Sequence, residues 1–177
     1  VTDEEWRVST GPIVDNDIYD GEIYDARLEK EGWDAPGYND QGWGKAKVAE
    51  APGGRMLSQA TFPPIKIAGM VQPVKVTNPK PNVYVFDFGQ NFTGWVRLSV
   101  NGPRGTEVRL RYAETLNPDG TINAKNLRGA KATDVYILKG EGVEMYEPRF
   151  TYHGFRYVEI TGFPGVPTIN SLQGIFV

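Results

Sequence analysis

The chain has 177 residues, 40% of them hydrophobic and 23% charged, which suits one globular domain or two small ones. A net charge of -3 gives no electrostatic case for nucleic acid or an anionic membrane, no apolar run nears the ~20 residues that span a bilayer, and no signal-peptide pattern is present. With no cysteine, disulfides, thiolate nucleophiles and cysteine-based zinc sites are excluded, but the compartment is not fixed.

The opening VTDEEWRVSTGP lacks an initial Met and reads as a strand already under way, while the chain stops at Val177 inside the apolar run LQGIFV. Both ends read as cuts in something larger. DNDIYD (15–20) follows, with Asp15, Asn16, Asp17 and Asp20 as an oxygen-donor run of the kind calcium prefers, though without EF-hand spacing. GEIYDARLE (21–29) is a plausible strand. Its Glu22 and Asp25 differ by three positions and so face opposite sides, which argues against a facing acid pair for sugar hydrolysis.

EGWDAPGYNDQGW (31–43) puts Trp33, Tyr38 and Trp43 in a glycine-rich loop with Asp34, Asn39 and Asp40. Rings beside amides and carboxylates suit a sugar, whose C–H faces stack and whose hydroxyls hydrogen-bond. The same rings equally serve to plug a loop onto a sandwich, with Asp and Asn making turns. KVAE (47–50) is a further candidate strand. APGGRMLSQATFPP (51–64) is irregular and marks a soft boundary, giving an N-terminal β segment over 1–60 and a β-sandwich over 61–177.

The later chain alternates. In VYVFDF (83–88), Val83, Val85 and Asp87 point one way and Tyr84, Phe86 and Phe88 the other. WVRLSV (95–100) turns Val96, Leu98 and Val100 inward, and EVRLRYAE (107–114) does the same with Val108, Leu110 and Tyr112. The linking VNGPRGTEV predicts a hairpin between these two strands. The DFG of DFGQNFTGW (87–95) has no other kinase signature beside it, and Asn91-Phe92-Thr93 carries little weight as a glycosylation sequon.

NPDGTIN (117–123) offers Asn117, Asp119 and Asn123 as a second calcium-like run, but NPDG is also an ordinary turn. NLRGAKATD (126–134) forms at most a turn of helix. DVYILK (134–139), RYVEI (156–160) and LQGIFV (172–177) are strands, the last closing the sheet. Glu144 and Glu147 share the spacing problem of Glu22 and Asp25, and Glu107 and Glu159 lie on solvent faces.

FTYHGFRYVEITGFPG (150–165) holds the only histidine. If Phe150 and Tyr152 face the core and the parity runs on, Arg156 points inward, at a cost unless paired. If Phe155 and Tyr157 face the core, the parity must slip near His153-Gly154. A bulge, or a sheet buried on both faces, accommodates either case. His153 reads as structural, since a lone base needs a partner and a cleft. Many short alternating strands without long helices predict an all-β, antiparallel β-sandwich, jelly-roll-like, with an additional extended N-terminal β segment.

YDGEIYDARLE (19–29) followed by GWDAPGYNDQGW (32–43) resembles the N-terminal region of bacterial α-L-rhamnosidases of glycoside hydrolase family 78. VFDFGQNFTGWVRLSVNGPRGTEVRLRYAETLNPDGTINAKNLRGAKATDVYILKG (85–140) and EPRFTYHGFRYVEITGFPG (147–165) resemble the β-sandwich segment that follows it. The resemblance implies a multidomain enzyme that releases terminal L-rhamnose with inversion, using acidic residues of a C-terminal (α/α)6 barrel. None of that barrel lies in these residues. The expected role is therefore a non-catalytic accessory β-sandwich that supports the barrel of the same parent chain, with no catalytic residue and no required cofactor. A periplasmic or extracellular setting is favoured over the cytoplasm.

The alternative is an autonomous module for L-rhamnose and rhamnose-containing glycans, at Trp33, Asp34, Tyr38, Asn39 and Trp43 or, with calcium, at Asp15, Asn16, Asp17 and Asp20. Some family members carry a calcium-bearing rhamnose module in their N-terminal β domains, but its ligands match no positions here. Hydrolysis by the chain itself ranks last, for want of a paired carboxylate motif.

Overall fold

The computed structural model describes residues 3–51 and 53–177. In chain order its strands are β1 (Arg7–Val8), β2 (Ile13–Asp17), β3 (Gly21–Asp25), β4 (Gly44–Lys45), β5 (Gly69–Val71), β6 (Lys75–Lys80), β7 (Val83–Asn101), β8 (Glu107–Ala113), β9 (Thr115–Leu116), β10 (Ile122–Asn123), β11 (Thr133–Ile137), β12 (Val143–Tyr146), β13 (His153–Thr161) and β14 (Leu172–Phe176). Single 3-10 turns lie at Ala26–Leu28, Lys125–Leu127 and Ile169–Ser171. Two compact units result: Val1–Gly11 with Glu29–Ile65, and Pro12–Leu28 with Lys66–Val177. Residues 12–28, although early in the chain, thus supply two strands to the larger unit.

The smaller unit is held by the β1–β4 ladder, which pairs Arg7 with Lys45 and Val8 with Gly44. Arg7 Nη1 donates to the Trp43 carbonyl at 3.4 Å. The strand expected over 47–50 does not form. Val48 there is exposed, and no partner strand among the described residues reaches it.

The larger unit is a β-sandwich built from one ten-strand sheet that folds over a main core. β7 is its spine. β13 and β12 run along one edge of β7, while β6 and β14 run along the other. From β13 the sheet continues through β8, β11, β3 and β2, and from β14 to β5. All these pairs are antiparallel except β3–β11, which is parallel. The inward residues read from the alternation are buried: Phe86, Phe88, Val96, Leu98, Val100, Val108, Leu110 and Tyr112. Val85, expected on the other face, is also buried, in a small cluster with Ala113 and Ile122 beneath the β9–β10 hairpin.

Two glycines allow close approaches. At Gly94 a Cβ would lie 1.9 Å from the Ile175 carbonyl, so β14 could not pair there with any other residue on β7. At Gly21, with φ of 105°, it would lie 2.2 Å from the Thr133 carbonyl, against β11.

Two expectations are corrected. β7 and β8 do not form a hairpin. Their link bonds to the end of β11, with Gly105 N donating to the Leu138 carbonyl and Leu138 N to the Thr106 carbonyl. β8 therefore pairs with β11 and β13 instead. The slip in β13 lies between Phe155 and Tyr157 and not at His153-Gly154. It keeps His153, Phe155, Val158 and Ile160 buried and turns Arg156 sideways to Asp87, which it grips through Nε at 2.8 Å and Nη2 at 3.0 Å. Phe150 is 70% exposed and not a core residue.

Candidate functional site: a buried carboxylate network

Four carboxylates are buried in the larger unit: Glu22, Asp25, Asp134 and Glu144. Asp134 is the second residue of β11, with its side chain fully buried between β3, β8 and β13. Its Oδ1 accepts from Glu22 N at 3.0 Å and its Oδ2 from the Tyr112 hydroxyl at 2.6 Å. His153 Nε2 lies 3.2 Å from both oxygens. Asp134 is an acceptor in each of its other contacts, so the proton of this contact belongs to Nε2. The His153 ring stacks on Tyr112 at 4.0 Å between centroids.

The Glu22 carboxylate accepts from the Tyr146 hydroxyl at 3.1 Å, Asn16 Nδ2 at 3.1 Å and Arg149 N at 3.1 Å. Burial raises its pKa above the ordinary 4.5. The bonds from Arg149 and Tyr146 oppose that rise, and the nearby Asp134 charge adds to it. Burial, with Asp134 beside it, pushes the Tyr112 hydroxyl well above the usual tyrosine value, and burial does the same to Tyr146. Neither phenol ionises near neutrality.

Glu144 closes the turn after β11. It accepts from the Tyr136 hydroxyl at 2.8 Å and from the backbone N–H groups of Lys139 and Gly140 at 3.0 and 2.8 Å. Burial alone would raise its pKa, but these donors outweigh it and the net shift is downward. Asp25 is held below its ordinary value by Arg27, which grips both oxygens at 2.8 and 2.7 Å.

Chemically the network resembles an acid–base site, with two carboxylates, a histidine and two phenols. Its geometry makes it a lock. Glu22 and Asp134 are 0% exposed, and no buried side-chain polar atom among the described residues lacks a partner. A general acid must reach a substrate oxygen, and these groups face only protein.

The family model described as bacterial alpha-L-rhamnosidase concanavalin-like domain matches residues 77–177, and the alpha-L-rhamnosidase N-terminal domain model matches residues 1–69. The chain belongs to the bacterial α-L-rhamnosidase family. An alpha-L-rhamnosidase of Streptomyces avermitilis is 54% identical over 96% of this chain. The structure of that organism's enzyme complexed with L-rhamnose superposes on 99% of the chain with a TM-score of 0.96 at 52% identity. The structure of the alpha-L-rhamnosidase from Dictyoglumus thermophilum does so over 99% with a TM-score of 0.95 at 52% identity. The chain spans only 16%, 17% and 20% of these three relatives.

Within this rhamnosidase segment, the structure gives each residue singled out in the sequence a definite place. Trp33 is 62% exposed in the smaller unit. Tyr38 and Trp43 meet edge-to-face at 5.7 Å. Asp34 is exposed, and Asn39 Oδ1 caps a turn by accepting from Gln41 N at 3.2 Å. In the larger unit, the run over 15–20 does not converge on a point. Asp15 accepts from Asn16 N, Asn16 turns to Glu22, and Asp20 pairs with Lys131 at 2.6 Å. Asp17 Oδ1 accepts from Tyr19 N and Asp20 N. Among the described residues no three His, Cys, Asp or Glu side chains are grouped to hold a metal ion.

Sequence reasoning missed Asp134, Tyr146 and the burial of Glu22. One signal was available. Tyr112 was placed inward by alternation, and an inward tyrosine needs a partner for its hydroxyl. What the sequence could not say is that the partner lies 22 residues away.

Proposed function

We propose that this chain is a non-catalytic accessory β-sandwich region of an α-L-rhamnosidase and supports the catalytic barrel of the same polypeptide. The observation that carries this reading is the locked network. The buried acids that could be mistaken for a catalytic set are all engaged by protein donors, away from solvent. The kinship with alpha-L-rhamnosidases supports release of terminal L-rhamnose as the parent reaction.

Two experiments test it. The chain alone, given an aryl α-L-rhamnoside, should release no aglycone above buffer. Hydrolysis that vanished with Glu22→Gln or Asp134→Asn would sink the reading. In the second, the chain replaces the matching segment of the Streptomyces avermitilis relative. A folded, active chimera is expected, whereas a folded but inactive one would count against a supporting role.

The exposed ring of Trp33 favours one further reading, an autonomous module for L-rhamnose on the loop of Trp33, Asp34, Tyr38, Asn39 and Trp43. Calorimetric titration with L-rhamnose, once with calcium and once with chelator, tests it. Saturable heat in both conditions supports the Trp33 loop. Heat that requires calcium points instead to Asp15, Asn16, Asp17 and Asp20. Absence of heat from the folded chain leaves the accessory role alone.

A further inference from the structure

Every described residue from 47 to 68 is exposed, and Met56 is 100% so. Among the described residues, the hydrogen bonds of this stretch before Ala68 are two local ones. Phe62 N donates to the Gln59 carbonyl at 2.9 Å, and Ala60 N to Ser58 Oγ at 3.2 Å. Neither involves residues 53–57. A protease holds its substrate as an extended strand in its cleft, so it needs several consecutive residues free of burial and of backbone pairing. The Arg55–Met56 bond meets both demands, and Gly53 and Gly54 before it add no bulk.

The other arginines meet them less well. Arg7, Arg97, Arg109, Arg111 and Arg156 lie in β1, β7, β8 and β13. Arg27 is held by Asp25 through Nε at 2.8 Å and Nη2 at 2.7 Å, and Arg149 N donates to Glu22 at 3.1 Å. Arg104 precedes Gly105, whose N–H is bound to the Leu138 carbonyl. Arg128 is exposed, but its φ of 56° is far from the extended backbone a cleft requires.

A cut at Arg55 divides the chain into residues 1–55 and 56–177, and the first piece carries β2 and β3, which are built into the larger unit. β3 pairs in parallel with β11, Ile23 opposite Val135 and Tyr24 opposite Tyr136. Ala132 N donates to the Tyr19 carbonyl at 3.0 Å and Thr133 N to the Asp20 carbonyl at 2.9 Å. Glu22 reaches Asp134, Tyr146 and Arg149. Tyr24 stacks on Tyr136 at 5.8 Å and leans on Tyr146 at 5.6 Å between centroids. Each of these contacts joins the first piece to the second without using the linker.

We propose that Arg55–Met56 is a processing site for an arginine-specific protease, and that the two pieces stay bound through residues 12–28. Water adds across the amide, leaving a carboxylate on Arg55 and an ammonium on Met56. Processing there ends the covalent continuity of the smaller unit and leaves the larger unit's sheet and buried network in place.

The test is limited digestion of the whole 177-residue chain with an arginine-specific protease, followed by intact mass measurement and native size exclusion at about 1 μM protein. The first cut should give Met56 as the new N-terminus. The pieces should run as two bands on a denaturing gel and as one peak under native conditions, parting only in denaturant. Two variants probe the clasp. Gly21→Ala sets a Cβ 2.2 Å from the Thr133 carbonyl. Glu22→Gln is milder, because it offers amide N–H groups to donors that need an acceptor. In the uncut chain the linker keeps β3 at an effective concentration of about 1 mM, so a cut at micromolar protein lowers that by about a thousandfold. Both uncut variants should therefore elute as the parent does, and the cut should release their pieces while the parent's stay together.

A first cut elsewhere, or resistance of this bond in the folded chain, would overturn the processing site. Separation of the parent's pieces at about 1 μM would overturn the clasp. So would cut variants of both kinds that hold together as firmly as the parent. Because Glu22→Gln leaves the backbone of β3 unstrained, misfolding of Gly21→Ala does not remove the comparison.

Discussion

The two compact units differ in how they use their large side chains. In the larger unit, Phe86, Phe88, Phe155 and Tyr112 are at most 1% exposed and belong to one core. In the smaller unit, Trp6, Trp33, Val48, Leu57 and Phe62 are all at least 55% exposed. The smaller unit's own framework is two short strands, a ring contact and a few turn hydrogen bonds. The larger unit adds a buried polar network to its apolar core. An interior network is costly unless every member is satisfied, and here it is. The lesson is that a cluster of titratable residues marks rigidity in one place, while the residues free to meet a ligand lie elsewhere, on exposed rims and loops.

Asp134→Ala should do the most damage to the larger unit. It strands the donors of Glu22 N, Tyr112 and His153 in the interior. A loss of about 3–5 kcal/mol is expected, read by urea denaturation. Should that variant fail to fold, Asp134→Asn keeps the volume and should cost less. A loss below about 1 kcal/mol for Asp134→Ala would mean that the network is not what holds β3, β8, β11 and β13 together.

His153→Phe should cost less, about 1–3 kcal/mol, because the ring still stacks on Tyr112 and only the bond to Asp134 disappears. On the structural assignment of His153 nothing but stability changes. Any activity or sugar binding that disappeared with this substitution, at unchanged fold, would overturn that assignment.

These effects were only partly legible in the sequence. Alternation alone found the inward faces of β7 and β8, because one face of each strand meets a continuous core and period two survives burial. It failed at pairing. VNGPRGTEV has hairpin residues, yet the link crosses to β11, and nothing local to Gly102 or Gly105 encodes Leu138 as a partner. The β13 bulge was anticipated in kind but misplaced, since its position is set by Arg156 reaching Asp87 across the sheet. The network was hidden for the same reason. Glu22 meets Asp134 112 residues away, through a parallel pairing that no strand pattern announces, and Arg149 127 residues away, in the link between β12 and β13. The Trp33 loop was legible as composition, and its exposure could be learned only from the fold.

Acid sharpens the contrast within the larger unit. Asp87, paired with Arg156, and Asp25, paired with Arg27, titrate below their ordinary 3.8, so the stability they add is present above that value and is lost as pH falls through their lowered pKa values. Glu22 has the opposite sign. Its pKa is raised, so its contribution is complete below 4.5 and is lost as pH rises through the raised value. The melting temperature should therefore peak on the acid side of neutrality and fall at lower pH. Glu22→Gln should flatten the neutral limb and leave the acid fall intact. A neutral limb that keeps its slope in that variant would remove Glu22 as its source.

Trp33→Ala should produce the smallest change. A ring that is 62% exposed buries little area to lose, and an exposed loop position away from caps and strain usually moves stability by no more than about 0.5 kcal/mol. That smallness makes it informative. A buried tryptophan would cost about 3–5 kcal/mol on truncation, so the melting curve alone separates a plug from a presented ring. If stability holds and L-rhamnose heat declines, the ring is a ligand contact and the smaller unit has a function of its own. If stability holds and no heat was present to lose, Trp33 is surface without a sugar ligand, and the accessory role stands alone. If stability drops by several kcal/mol, the ring is buried in solution, and the contrast between the two units fails at the residue that best expressed it.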